Sequence, residues 1–318
     1  MLSRTADHLY WMARYTERAE NTARMLDVNY QMSLLPQSEK TIEGGWRALL
    51  EISELTQAYS SKHENAAPAT VIAFMARDMD NASSIMRCLQ AARENARAVR
   101  GSITTELWET INTTWLEAQR MVLNGRVEHA PAEFFEWVKF RSHLTRGVHA
   151  GTMMRGEVYD FIQLGSFLER ADNTARLLDV KFLAAAESHD AASDPVDEFY
   201  YWAAILRSVS AFESYRKVYR DVITPERIAQ LLILNLSMPR SLAACLQEVV
   251  KRLGRVRNAQ SADTQMATLN LFTELRDTTI EEILEQGLHV FLTEFLSRIN
   301  DIGAGISQDF LVPLEVAA

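Results

Sequence analysis

Glycine and proline are scarce in this chain of 318 residues, with 12 and 7 respectively, so the two together make up about 6% of it. That is roughly half the usual share, and it excludes collagen-like, linker-rich and many-turned β architectures. Cysteine is nearly absent: Cys88 and Cys245 make neither a disulfide framework nor a zinc cluster. Lysine is also rare, 6 against 27 arginines. No apolar run approaches the 18 or so residues of a membrane span. The run 231–234 ends at Asn235. The first 15 residues carry Arg4, Asp7, His8 and Arg14 and do not read as a secretory signal. Nor does the chain have the basic surplus of a nucleic-acid binder, since its net charge is −9. A cytoplasmic protein that engages neither nucleic acid nor membrane is expected.

What the sequence has in abundance is helical periodicity. Apolar residues recur at spacings of three and four, and no segment alternates. The expected fold is all-α, with about eleven helices. They include a long first helix over 3–35 stopped by Pro36, single helices over 42–59, 195–219 and 279–312, and one opened by Pro131. Gly147, Gly151 and Gly156 mark a bend before a second long helix that runs to about residue 187. Asp194-Pro195 and Thr224-Pro225 each read as an N-cap followed by a first-turn proline.

The strongest signal is self-similarity. Residues 9–30, LYWMARYTERAENTARMLDVNY, match residues 161–182, FIQLGSFLERADNTARLLDVKF, at ten of 22 positions with an offset of 152. Residues 84–100 match 241–257 at six of 17 positions with an offset of 157, pairing Ser84 with Ser241 and Cys88 with Cys245. Trp46 and Tyr59 match Trp202 and Tyr215 at an offset of 156. Three matches in order imply a tandem duplication. Residues 1–155 form a first helical repeat and 156–318 a second, packed as one continuous body about a pseudo-twofold axis.

On a helical wheel of the first repeat, Trp11, Met12, Tyr15, Ala19, Thr22, Ala23 and Leu26 gather on one side, the expected core face. Tyr10, Glu17, Asn21, Arg24 and Val28 lie opposite, with Arg18 and Asp27 on the flanks. Glu20–Arg24 and Asp172–Arg176 are i,i+4 pairs in the favourable order. Glu17 has no cation three or four residues ahead, and Arg14 behind it is matched by Ser166, so a local pairing is not retained. Glu17 and Glu169 are therefore expected to find partners on other helices. In one reading Glu17 meets Arg170 while Glu169 meets Arg18. In another, the polar stripes Glu17, Arg18, Asn21, Arg24 and Glu169, Arg170, Asn173, Arg176 line a cleft for a charged ligand, metal or partner. The two readings are compatible if the pairs frame the cleft.

No self-contained catalytic motif is present: there is no Gly-x-Ser-x-Gly elbow, P-loop or dinucleotide fingerprint, and no His has a Glu three residues before it. Neither a metal site nor a cofactor is expected, although Glu17-x-x-Glu20 and Glu169-x-x-Asp172 offer carboxylates to a hard cation. Arg93, Arg97 and Arg100 read as a solvated face, and Cys88 and Cys245 as small buried residues.

At the repeated Glu-Arg pair the chain resembles the bacterial alpha-E proteins, an all-helical family named for its helices and that motif. The likeness extends through LSRTADHLYWMARYTERAENTARMLDV, NASSIMRCLQAARENARAVR, FIQLGSFLERADNTARLLDV and SMPRSLAACL, and spans essentially the whole chain. The resemblance implies a genomic setting beside an ATP-grasp ligase of circularly permuted type, often with a transglutaminase-like protein and sometimes a proteasome-like peptidase. It implies a peptide-forming or peptide-modifying system in which this protein is one component and the ligase is encoded by another gene. It supplies no catalytic residue. The expected function is thus that of an accessory partner of an amide ligase. An enzyme using Glu17 or Glu169 as general base on a peptide or amine, and a pure scaffold, are the alternatives.

Overall fold

The computed structural model describes residues 1–36, 38–187 and 195–311. Asp194, one of the expected N-caps, lies outside the described residues, as does the end of the last expected helix at residue 312. The first half of the chain runs α1 (Ser3–Ser33), α2 (Glu39–Ile52), α3 (Thr56–Ser60), α4 (Pro68–Ala76), α5 (Ile85–Ala98), α6 (Thr105–Leu123), α7 (Arg126–His129) and α8 (Pro131–Thr152). The second runs α9 (Glu157–Glu187), α10 (Pro195–Ser208), α11 (Phe212–Tyr219), α12 (Pro225–Ile233), α13 (Leu242–Val256), α14 (Ala262–Asp277), α15 (Ile280–Gln286) and α16 (Leu288–Phe310). Among the described residues there is no strand, and no helix is long and apolar enough to cross a membrane.

Among the described residues, sixteen helices replace the expected eleven or so because periodicity does not register a single residue in the left-handed region. Glu54, at φ 54°, splits the expected helix over 42–59 into α2 and α3. Ser210, also at φ 54°, splits 195–219 into α10 and α11, and Gly287, at φ 99°, splits 279–312 into α15 and α16. Gly125, at φ 67°, opens the additional short helix α7.

Two helices of 31 residues, α1 and α9, form the centre. α5 and α8 pack on α1, and α6 joins them. In the same relation α13 and α16 pack on α9, and α14 joins them. Ser84 and Ser241 cap the N-termini of α5 and α13, each accepting from the backbone N–H three residues on. One apolar core runs from Ala6 to Leu311. α1 and α9 meet closely at Gly165, where a Cβ would stand 2.3 Å from the backbone oxygen of Tyr10. Glycine is required there by contact and not by backbone conformation.

The wheel of α1 needs a correction. Tyr10, Glu17, Asn21 and Arg24, on the side opposite the expected core face, are all buried, whereas Trp11 and Tyr15 are only partly so. α1 is enclosed by α5, α8, α9 and α10, and its polar stripe faces other helices rather than solvent. A helix covered on all sides has to match its charged residues with charges from its neighbours.

Candidate functional site

Glu17 sits in the middle of α1 with its carboxylate inside the bundle. Arg170 on α9 donates to it through Nε and Nη2, both at 2.9 Å, in a bidentate pair. Arg240, just ahead of α13, and Arg146 on α8 add contacts of 3.0 and 3.1 Å. Glu20, one turn on, accepts from Arg24 at 2.8 Å, from Arg240 at 2.7 Å and from Arg146. Arg240 also donates to Asn21 Oδ1 at 2.9 Å. Burial pushes both carboxyl groups up, but the surrounding guanidiniums outweigh it. Glu17 is held well below the usual carboxylate range, by Arg170 above all, and Glu20 falls to about 2. Arg24 further donates to Ser210 at 2.5 Å and meets His143 at 3.1 Å.

The second Glu-Arg pair answers the first across the same interface. Arg18 on α1 donates to Glu169 on α9 at 2.5 and 3.1 Å, and Arg14 adds a contact of 2.7 Å. Burial again raises the carboxyl pKa, and Arg14 and Arg18 more than offset it, so Glu169 is ionised at neutral pH. Asp172 accepts from Arg176 at 2.9 and 3.0 Å, and Arg176 reaches on to Glu54.

The two pairs differ in what lies beside them. Next to Glu17 the space is filled by Arg146 and Arg240. Next to Glu169 a polar cavity of about 280 Å³ opens between α1 and α9, closed on one side by the α2–α3 turn at Ser53–Leu55. Arg18, Asn21, Glu169, Asn173 and Arg176 line it. The other three residues singled out from sequence, Glu17, Arg24 and Arg170, belong to the filled cluster and do not line this cavity. Asn21 joins the two: its Oδ1 is bound to Arg240, and its buried Nδ2 has no hydrogen-bond partner. Ser53 Oγ, also on the cavity wall, is likewise buried and unpartnered. A second cavity of about 190 Å³ shares Arg14, Asp172 and Asn300 with the first and continues along α16 past Trp11 and Gly303. Buried polar groups are nearly always hydrogen-bonded, so unspent ones on a cavity wall mark a place suited to a polar ligand.

The carboxylates offered by Glu17-x-x-Glu20 and Glu169-x-x-Asp172 are all engaged by arginines. No group of three or more His, Cys, Asp or Glu side chains among the described residues is arranged to hold a metal. Cys88 and Cys245 approach backbone carbonyls of Ala82 and Pro239 at 3.9 and 3.8 Å, and burial pushes both thiols up to about 12. They are protonated packing residues. Arg93 and Arg97 pair with Glu94, and Arg100 lies over Trp108.

Sequence reasoning passed over four contributors. Arg14 was set aside for lack of a counterpart, yet it serves the opposite glutamate, Glu169. Arg146 and Arg240 come from positions 129 and 223 residues away from Glu17. Ser53 belongs to a turn that periodicity does not show.

Over residues 1–311 the chain matches the family model Alpha-E, described as a predicted alpha-helical domain with a conserved ER motif. No curated protein and no solved structure matches it.

Proposed function

The chain belongs to the Alpha-E family, and from that premise we propose that it is a binding component of a peptide-forming or peptide-modifying system. It acts with an ATP-grasp amide ligase in the cytoplasm, and a transglutaminase-like protein is a further candidate partner. Its role is to hold the charged end of a peptide in the cavity between α1 and α9 while the ligase does the chemistry. The observation that carries this reading is the cavity itself, lined by Asn21 and Ser53, each of which has a buried polar atom without a hydrogen-bond partner.

Two features favour binding, one over catalysis and one over a pure scaffold. A general base works best with a pKa near the operating pH. Glu17 and Glu169 are instead held down by two or more arginines each, so neither is suited to take a proton at neutral pH. The cavity also speaks against a pure scaffold, because ion pairs that only joined helices would leave no unpartnered polar groups around an open volume.

We also read the chain as a tandem duplication. The reciprocal pairs Arg170–Glu17 and Arg18–Glu169, and the matched caps Ser84 and Ser241, support that reading. The test is co-purification with the ligase encoded nearby, then ligase turnover with and without this protein. A stable complex and faster turnover are expected. Equal turnover and no complex refute the proposal.

A further inference from the structure

The two sides of the α1–α9 interface are built from the same residue types, yet one is filled and the other is hollow. Arg146 and Arg240 fill the first side, and for Arg240 the difference lies at one matched position. Ser241 and Ser84 cap α13 and α5. The residue before the first cap is Arg240, and the residue before the second is Ser83. Arg240 extends its guanidinium to three acceptors on α1: Glu17 at 3.0 Å, Glu20 at 2.7 Å and Asn21 Oδ1 at 2.9 Å. The residues at the matching positions of α9 are Glu169, Asp172 and Asn173, and all three line the cavity together with Ser83. Two carboxylates and an amide therefore line the cavity at the same sequence spacing as the three groups that receive Arg240. Asn173 makes no side-chain hydrogen bond, although Asn21 makes one to Arg240.

Charge points the same way. Around Glu17 and Glu20 stand four arginines: Arg24, Arg146, Arg170 and Arg240. Around the cavity, Arg14, Arg18 and Arg176 are matched one for one by Glu169, Asp172 and Glu54. The hollow side thus carries less positive charge per carboxylate than the side that already holds Arg240, and has room for one more cation.

We propose that the cavity receives an ammonium group, the free amino end of a peptide, in the place corresponding to the Arg240 guanidinium. The ammonium donates to Glu169, Asp172 and Asn173 Oδ1. The first peptide carbonyl accepts from Asn21 Nδ2, the donor that has no partner in the protein. The rest of the peptide runs into the adjoining cavity beside Trp11 and α16. This assignment rests on the reading of the cavity as a binding site and specifies which end of the peptide it holds.

The test is isothermal titration calorimetry on the full chain with three probes: alanyl-alanine amide, N-acetyl-alanyl-alanine with a free carboxylate, and free alanine. The amine-bearing dipeptide amide is expected to bind at least tenfold more tightly than either of the others. Its affinity should fall about tenfold per pH unit above the amine pKa of about 8. Ser83→Arg puts the missing guanidinium into the cavity and is expected to weaken binding at least tenfold while leaving the circular dichroism spectrum native. Asn173→Ala, which removes an unbonded side chain, is expected to weaken it three- to tenfold. If the acetylated acid binds best, the cavity takes anions: the ammonium assignment falls and the binding-site reading stands. If free alanine binds as tightly as the dipeptide amide, the occupant is a single amino acid and the peptide assignment falls. If none binds at millimolar concentration, both readings fall.

Discussion

Glu17 and Glu169 are equivalent by sequence, and the structure predicts that they are unequal in energy. Replacing Glu17 with Gln removes the charge that Arg170, Arg146 and Arg240 share. Two of those arginines are almost sealed, with side chains 9% and 8% exposed, so water cannot take over. Breaking a buried pair by deleting one partner costs about 3–5 kcal/mol. At roughly 2 °C per kcal/mol for a chain of this size, the expected fall in Tm is about 6–10 °C. Glu169→Gln also strands two arginines, but Arg14 and Arg18 are 16% and 28% exposed and border the polar cavity. They can be hydrated where they stand, and the expected cost is about 1–3 kcal/mol, nearer that of a lost charged hydrogen bond. Urea titration followed by circular dichroism measures both variants, the midpoints being compared at constant m. Equal losses, or a larger loss for Glu169→Gln, would refute the claim that the Arg240 side is the sealed one.

Further predictions concern pH, packing and the thiols. The carboxyl pKa values of Glu17, Glu20 and Glu169 are lower folded than unfolded. The stability they confer is therefore complete above the unfolded value of about 4.3 and is lost as pH falls toward 2. Acid titration of stability should show a shallower loss in Glu17→Gln than in the parent, and an unchanged slope would count against the charge cluster. Gly165→Ala should destabilise by about 1–3 kcal/mol through contact with the Tyr10 carbonyl, despite the better helix propensity of alanine. Gly44→Ala, in open space on α2, should instead stabilise by about 0.5–1 kcal/mol, and thermal melts of the two variants must move in opposite directions. Cys88 and Cys245 should react with a thiol reagent only as fast as the protein opens; rapid labelling of the native chain would contradict their burial.

The outline of this molecule is readable in its sequence because its information is periodic. The long helices α1 and α9 follow from uninterrupted three- and four-residue spacing, and the want of a retained local cation sends Glu17 and Glu169 to partners on other helices, with the cross-pairing as one of two readings. What periodicity cannot carry is a change of direction made by one residue. Glu54 and Ser210 adopt left-handed conformations without being glycine, and the turns they make bring Ser53 to the cavity and Ser210 to Arg24. Wheel logic also fails for α1, because it assumes one wet face. Arg146 and Arg240 supply the charge that lets the polar stripe be buried, and they come from segments whose distance from α1 only the folded chain reveals.

Glu17 and Arg240 are 223 residues apart, and that separation has a consequence for synthesis. At about 5–20 residues per second, Glu17 is added to the chain roughly 11–45 seconds before Arg240. During that interval the first long helix carries two carboxylates whose full set of counter-ions from the second half does not yet exist. It cannot be enclosed until they arrive. The nascent first half must wait, open and wet along the stripe, for the second half to complete it, and the order of synthesis fixes which half waits.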